Sequence, residues 1–236
     1  MIDENSPDEC TQAHWRGLWC GEQTIEIAEG DNTLFASLRV PLVGRHNALN
    51  LLLAVAAARC LNVATTQIEQ GVLTAQMPSG RMQEHCYGRR LCLIDDSYNA
   101  NPESMQAALA ELKTRYGHSI AVLGSMGELG SYAETLHEQL GVQAAQSGVA
   151  QLIAVGPDRD AIARGYRSVK TDQPTYLAEN TDAAKTLLAR ALEYAAANSA
   201  SDLPIVVLLK GSRFVGLEQL IPTVQGFASK YEQEAH

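Results

Sequence analysis

The chain has 236 residues, 46% of them hydrophobic and 19% charged, which is enough apolar material for one large core or two modest ones. Its 18 basic and 27 acidic side chains leave a formal charge of −9, so diffuse attraction to a nucleic-acid backbone or an anionic bilayer is not expected. The longest apolar run, residues 51–58, stops at Arg59, far short of the roughly 20 residues a membrane-spanning helix needs.

Residues 1–8 carry three acids and no base, the opposite of a secretory leader, so a cytoplasmic location is expected. Residues 1–21 are polar and interrupted by Pro7, and read as a tail or a loosely attached edge. Residues 24–27 alternate, Gly30-Asp31-Asn32 is a turn signal, and residues 34–40 alternate again, which predicts a β-hairpin. From 47 to 61 nearly every residue is Ala, Leu or Val, the composition of a helix buried over most of its circumference. Pro78-Ser79-Gly80 then breaks the chain, and a domain boundary is expected there, giving domains 1–78 and 79–236.

Beyond the break, short apolar strands alternate with amphipathic helices. Strands are predicted at 91–94, 120–123, 152–155 and 205–209, with a weaker one at 175–177. Met105, Ala108, Leu109 and Leu112 form one helical stripe, and Ala184, Leu187, Leu188, Ala191, Leu192 and Ala195 form another. The first helix has a written start, with Asn101 to cap it, Pro102 at its first position and Glu103 at the positive dipole end. The expected fold class is therefore α/β, a Rossmann-like, mostly parallel sheet over residues 79–236.

Five cysteines do not suggest disulfides, since Cys60, Cys86 and Cys92 fall in apolar segments where a thiol behaves as a small hydrophobe. Cys10, His14 and Cys20 have metal-ligand identities but no tight spacing and no fourth member, so no metal site is assigned to them.

Ligands of open parallel sheets gather at the carboxyl ends of the strands. There, Asp95-Asp96-Ser97-Tyr98-Asn99-Ala100-Asn101-Pro102 places two carboxylates, a hydroxyl, a phenol and two amides between a strand and a helix. A cap and a turn account for Asn101 and Pro102 but not for the density of the rest. Gly44-Arg45-His46-Asn47 with Asn50 puts two amides on one face of a helix start, able to read a heterocycle edge, though an ordinary cap explains Asn47 equally well. Lys210-Gly211-Ser212-Arg213 follows the last strong strand and suits a carboxylate or phosphate, against a background in which cations are common at solvated strand ends. The glycine-rich stretch 124–130 also follows a strand but lacks the dinucleotide fingerprint. No G-x-x-x-x-G-K-[ST] occurs, nor any Gly-Lys pair, so the usual phosphate-cradling loop is missing.

In order, Gly44-Arg45-His46-Asn47 with Asn50, Ser79-Gly80-Arg81-Met82, and the string from Asp95 to Pro102 resemble the Mur ligases, amide ligases of peptidoglycan synthesis. Residues 124–130 and 210–213 are similar too, and the resemblance runs over residues 22–225. Within the family the Asp-Asp-Ser-Tyr-Asn-Ala-Asn string is similar to the branch that adds D-alanyl-D-alanine to UDP-N-acetylmuramoyl-tripeptide. The resemblance implies that residues 1–78 are the last part of a central ATP-binding domain and 79–236 a carboxyl-terminal domain. It implies ATP and Mg2+ as cofactors, with the magnesium ligands mostly outside this chain, and UDP-N-acetylmuramoyl-tripeptide and D-Ala-D-Ala as substrates. It also implies a chain inactive alone, with the remaining amino-terminal portion of the enzyme as its partner. On matched positions Asn47 and Asn50 would contact adenine and Arg81 the phosphates, with Asp96 and Tyr98 on the nucleotide side of the cleft. Asn99, Asn101, Lys210 and Ser212 would orient the dipeptide, with Lys210 or Arg213 near its carboxylate. Two alternatives stay open: a Mur-type ligase for another amino acid, and a non-catalytic module binding a ligand or partner.

Overall fold

The computed structural model describes residues 2–3, 14–21, 24–40, 45–75, 79–115, 117–198 and 203–234. The chain divides into two compact units, Met1–Pro78 and Ser79–His236.

In the first unit, β1 (Ile2–Asp3), β2 (Trp15–Gly21), β3 (Thr24–Glu29) and β4 (Asn32–Arg39) form a four-stranded sheet in that order. The β1–β2 pairing is parallel and the other two are antiparallel. The predicted hairpin is β3–β4, with Glu29 opposite Asn32 and Gly30 and Asp31 at the turn. The sheet rests on α1 (Arg45–Cys60) and α2 (Thr65–Thr74), with Ile25, Ile27 and Phe35 packed among Ala48, Leu52, Val55 and Ile68.

Three expectations need correction in this unit. Residues 15–21 are not tail but β2, an inner strand whose Trp15 and Trp19 pack against the core. Their alternation is masked in sequence by Gly17, which sits buried between them with no side chain to mark the inward face. Among its described residues helix α1 is buried along one stripe, through Ala48, Leu52 and Val55, while Leu49 and Leu53 on other faces are exposed. An all-apolar helix has the composition to be covered all round, but cover requires a partner on each side. Cys60, expected inside, is exposed at the end of α1. Of the Cys10, His14 and Cys20 trio, Cys10 lies outside the described residues.

The second unit is a six-stranded sheet in the order β5-β6-β10-β7-β8-β9, from β5 (Gln83–Tyr87), β6 (Leu91–Asp96), β7 (His118–Gly124), β8 (Gln151–Val155), β9 (Thr175–Ala178) and β10 (Ile205–Lys210). All neighbours are parallel except β5, which runs antiparallel to β6. Strand β5 escapes the sequence reading because its polar Gln-Glu-His-Cys-Tyr pattern belongs to a sheet edge. The α/β, mostly parallel fold class is the one observed.

Alternate residues of each strand feed opposite cores. In β10, Ile205, Val207 and Leu209 pack toward α6 (Thr181–Asn198) and α7 (Ile221–Glu234). Val206 and Leu208 pack on the other face toward α3 (Pro102–Thr114), α4 (Ala133–Gln146) and α5 (Arg159–Arg167). Double-sided burial explains why these strands read as continuous apolar runs. Each fully buried Leu, Ile or Val side chain contributes about 1.5–3 kcal/mol, so the central strands fix the sheet that carries the loops.

Candidate functional site

Strand β10 lies between β6 and β7, with Lys210 in register with Asp96 on one side and Leu123 on the other. Three loops therefore leave the carboxyl edge of the sheet side by side: 97–101 after β6, 125–130 after β7 and 211–213 after β10. Gly124 and Gly211 allow the β7 and β10 loops to touch, since a Cβ on Gly211 would lie 2.9 Å from the Gly124 Cα.

The two aspartates end β6 differently because successive side chains point to opposite faces. Asp95 is buried and turns the chain, accepting from the Ser97 N–H at 3.2 Å and the Ser97 hydroxyl at 2.5 Å. Asp96 accepts from the Lys210 ammonium at 2.5 Å through Oδ2 and from the Met82 N–H at 3.0 Å through Oδ1. Lys210 also donates to the Asn99 carbonyl at 3.2 Å, and its side chain is 2% exposed against 13% for Asp96. Burial pushes the Asp96 carboxyl above the usual range, and the Lys210 charge, then the Met82 N–H, pull it part of the way back.

Over this pair lies the segment at the head of the unit. Gly80 has φ 76°, and a Cβ there would come within 3.0 Å of the Tyr98 nitrogen, whose N–H donates to the Gly80 carbonyl at 2.9 Å. The close approach brings Arg81 over the Tyr98 ring, its Cζ 4.4 Å from the centroid. Arg213 approaches the same ring at 5.2 Å. Both guanidiniums are exposed, and two cations beside a partly exposed phenol make a surface suited to phosphate or carboxylate.

The structure thus brings Arg81, Asp96, Tyr98, Asn99, Lys210, Ser212 and Arg213 to one strand edge, though in unequal roles. Lys210 and Asp96, assigned from sequence to different ligands, are each other's partners. Ser212 is buried, accepting from the Gly127 N–H at 2.9 Å and donating to the Ala100 carbonyl at 3.4 Å. Asn101 commits its side-chain oxygen to the first turn of α3, accepting from the Ser104 N–H at 2.8 Å. Asn99 is exposed. Asn47 and Asn50 belong to the first unit, at the start of α1, with the Asn50 amide 3.5 Å from the Asn47 oxygen. Gly44 and the side chains of Arg45 and His46 lie outside the described residues.

Sequence reasoning missed what holds the 124–130 loop. The His137 Nε2 accepts from the Met126 N–H at 2.7 Å, which leaves the ring proton on Nδ1 for the Ala133 carbonyl at 2.6 Å. Ser125 Oγ accepts from the Asp158 N–H at 3.0 Å. The signal was present: His137 is a polar residue within the buried stripe of α4 that includes Leu140, Gly141 and Ala144.

With this geometry, residues 80–213 match the Mur ligase glutamate ligase domain, and the chain belongs to the Mur ligase family. Among its relatives is the UDP-N-acetylmuramoyl-tripeptide--D-alanyl-D-alanine ligase of Synechocystis, 37% identical over 69% of this chain and 38% of the relative. The enzyme of that name from Escherichia coli K12 is 32% identical over 79% of this chain and 38% of its own length. The chain thus spans under two fifths of these curated relatives. A crystal structure of MurF from Acinetobacter baumannii superposes with a TM-score of 0.74 at 27% identity, covering 90% of this chain and 45% of that one. The fold is shared with the Thermotoga maritima MurF ligase in complex with ADP, at a TM-score of 0.62 and 21% identity over 93% of this chain and 46% of that one.

Proposed function

We propose that this chain is the carboxyl-terminal portion of an ATP-dependent ligase that adds D-Ala-D-Ala to UDP-N-acetylmuramoyl-tripeptide through an acyl phosphate. In that reading ATP phosphorylates the tripeptide carboxylate, the dipeptide amine attacks the acyl carbon, and phosphate leaves with formation of the amide. Residues 1–78 would be the end of the ATP-binding domain and 79–236 the acceptor domain. The observation that carries the reading is the exposed Arg81–Tyr98–Arg213 cluster at the carboxyl edge of β6 and β10, in a chain of this family.

Arg81 would meet the nucleotide phosphates and Arg213 the dipeptide carboxylate, with the Asn99 amide beside it. Lys210, Asp96 and Ser212 act from below, fixing the loops that present these groups, and Asn101 sets the start of α3. Asn47 and Asn50 would read the adenine edge. Among the described residues the group of three metal-ligating side chains is Glu84, Cys86 and Cys92, two thiols and a carboxylate that do not suit magnesium. Magnesium ligands are therefore assigned to the rest of the enzyme, which is the chain's proposed partner. ATP as substrate and the absence of a described helix long and apolar enough to cross a membrane support a cytoplasmic site of action.

NMR titration of the chain with D-Ala-D-Ala, and separately with ATP and magnesium, tests the assignment. Dipeptide is expected to shift the amides of residues 98–101 and 211–213, and Arg213→Ala to abolish those shifts in a folded protein. Absence of shifts with either ligand in a well-dispersed spectrum refutes a ligand site on this chain. It would favour a non-catalytic module that binds a partner.

A further inference from the structure

The β5–β6 hairpin carries a second cluster that the ligase reading does not use. Cys86 and Cys92 are register partners across the two strands, and their sulfurs stand 3.3 Å apart. Glu84 is two residues before Cys86, so strand alternation puts its side chain on the same face. One ligand atom from each of the three lies within 4.8 Å of the others. Cys86 is exposed and Cys92 partly so, contrary to the buried thiols expected from sequence, and both line a cavity of about 400 Å³.

The carboxylate is paired with Arg115 but can be released. Arg115 donates to both Glu84 oxygens, and its second partner, Glu111 at 2.9 Å, leaves it paired when Glu84 turns toward the thiols. A carboxylate beside two cross-strand thiols supplies a third ligand to a cation and has no part in a disulfide, which favours a cation as the purpose of the cluster.

We propose that Glu84, Cys86 and Cys92 bind a thiophilic divalent cation through two thiolates and one carboxylate, with water completing a tetrahedron. Metal–sulfur bonds of about 2.3 Å place two thiolates about 3.8 Å apart in such a site, so the sulfurs need open by only about half an ångström. Binding sends the two thiol protons to solvent and transfers no electrons. The bound cation clamps the edge strand β5 to β6 near their turn, at the opposite end of the pair from the Met82–Asp96 hydrogen bond.

Cadmium serves as the probe, titrated into the full reduced chain with Cys10, Cys20 and Cys60 replaced by serine and read by thiolate-to-cadmium charge-transfer absorption. One equivalent is expected to saturate the band. Cys86→Ser and Cys92→Ser are each expected to weaken binding at least about tenfold, and Glu84→Gln about tenfold. Circular dichroism checks each variant, and the exposed Cys86→Ser carries the test if Cys92→Ser does not fold. Equal binding by parent and Cys86→Ser overturns the site, as does indifference to Glu84→Gln. A chain that ignores cadmium but forms a Cys86–Cys92 disulfide with oxidised glutathione overturns it in favour of a redox pair.

Discussion

Replacing Lys210 by methionine keeps most of the side-chain volume and removes one charge from the floor of the strand-edge site. Asp96 then loses its 2.5 Å ammonium partner and keeps only the Met82 N–H, while 13% exposed. Stranding one member of a buried ion pair costs about 3–5 kcal/mol. Asp96 sits toward the lower end of that range because some solvent reaches it and it can escape by taking up a proton. We expect a loss of about 3 kcal/mol at pH 7, or about 6–12 °C in Tm for a unit of roughly 150 residues. Since burial already raises the Asp96 pKa, the fold favours its protonated form, and its contribution is full in acid and declines as pH rises through the folded-state value. Without Lys210 that value climbs further, so the gap between Lys210→Met and the parent should widen from pH 4 to pH 7. The double variant Lys210→Met with Asp96→Asn should lose less than the sum of the two singles. Urea denaturation followed by far-UV circular dichroism measures all four proteins. Tryptophan fluorescence does not serve, because Trp15 and Trp19, the only two, both lie in β2 of the other unit. A loss under about 1 kcal/mol, the same at both pH values, or strict additivity in the double variant would refute the buried pair.

Three further outcomes follow from the same structure. Asn101→Ala removes the cap of α3 and should cost about 1 kcal/mol, with faster amide exchange at Ser104; an unchanged urea midpoint would show that Asn101 does not hold the helix start. Tyr166→Phe strands the buried Val149 carbonyl, which the phenol reaches at 2.7 Å, and should cost about 1–3 kcal/mol; the same burial holds the phenol pKa at about 12, so ultraviolet titration should show one tyrosine ionising last, absent in the variant. Burial lowers the His118 pKa, so the unfolded chain takes up this proton first and stability is lost as pH falls below about 6.5. The Tm drop between pH 7 and pH 5 should shrink in His118→Gln, and an unchanged drop would remove His118 as its source.

Periodicity and capping, which are properties of neighbouring residues, located the central strands, α3 with its Asn101 cap and the β3–β4 turn. They did not reveal β2, where Gly17 interrupts the pattern, or β5, whose polar side chains suit an edge rather than an interior. Nor did composition say which faces of α1 would find cover. Clustering of chemistry after β6 and β10 was legible because parallel sheets send their carboxyl ends to one edge. The division of labour there was not. Asp96 and Lys210 are 114 residues apart, and only the register of β10 against β6 makes them a buried pair. Arg81 and Arg213 are far apart in sequence and both reach the Tyr98 ring, Arg81 because Gly80 lets its backbone approach that of Tyr98 closely. Local sequence determines which elements form and where polar groups are offered to solvent. Which of those groups become partners depends on long-range register and packing, which no short window of residues contains.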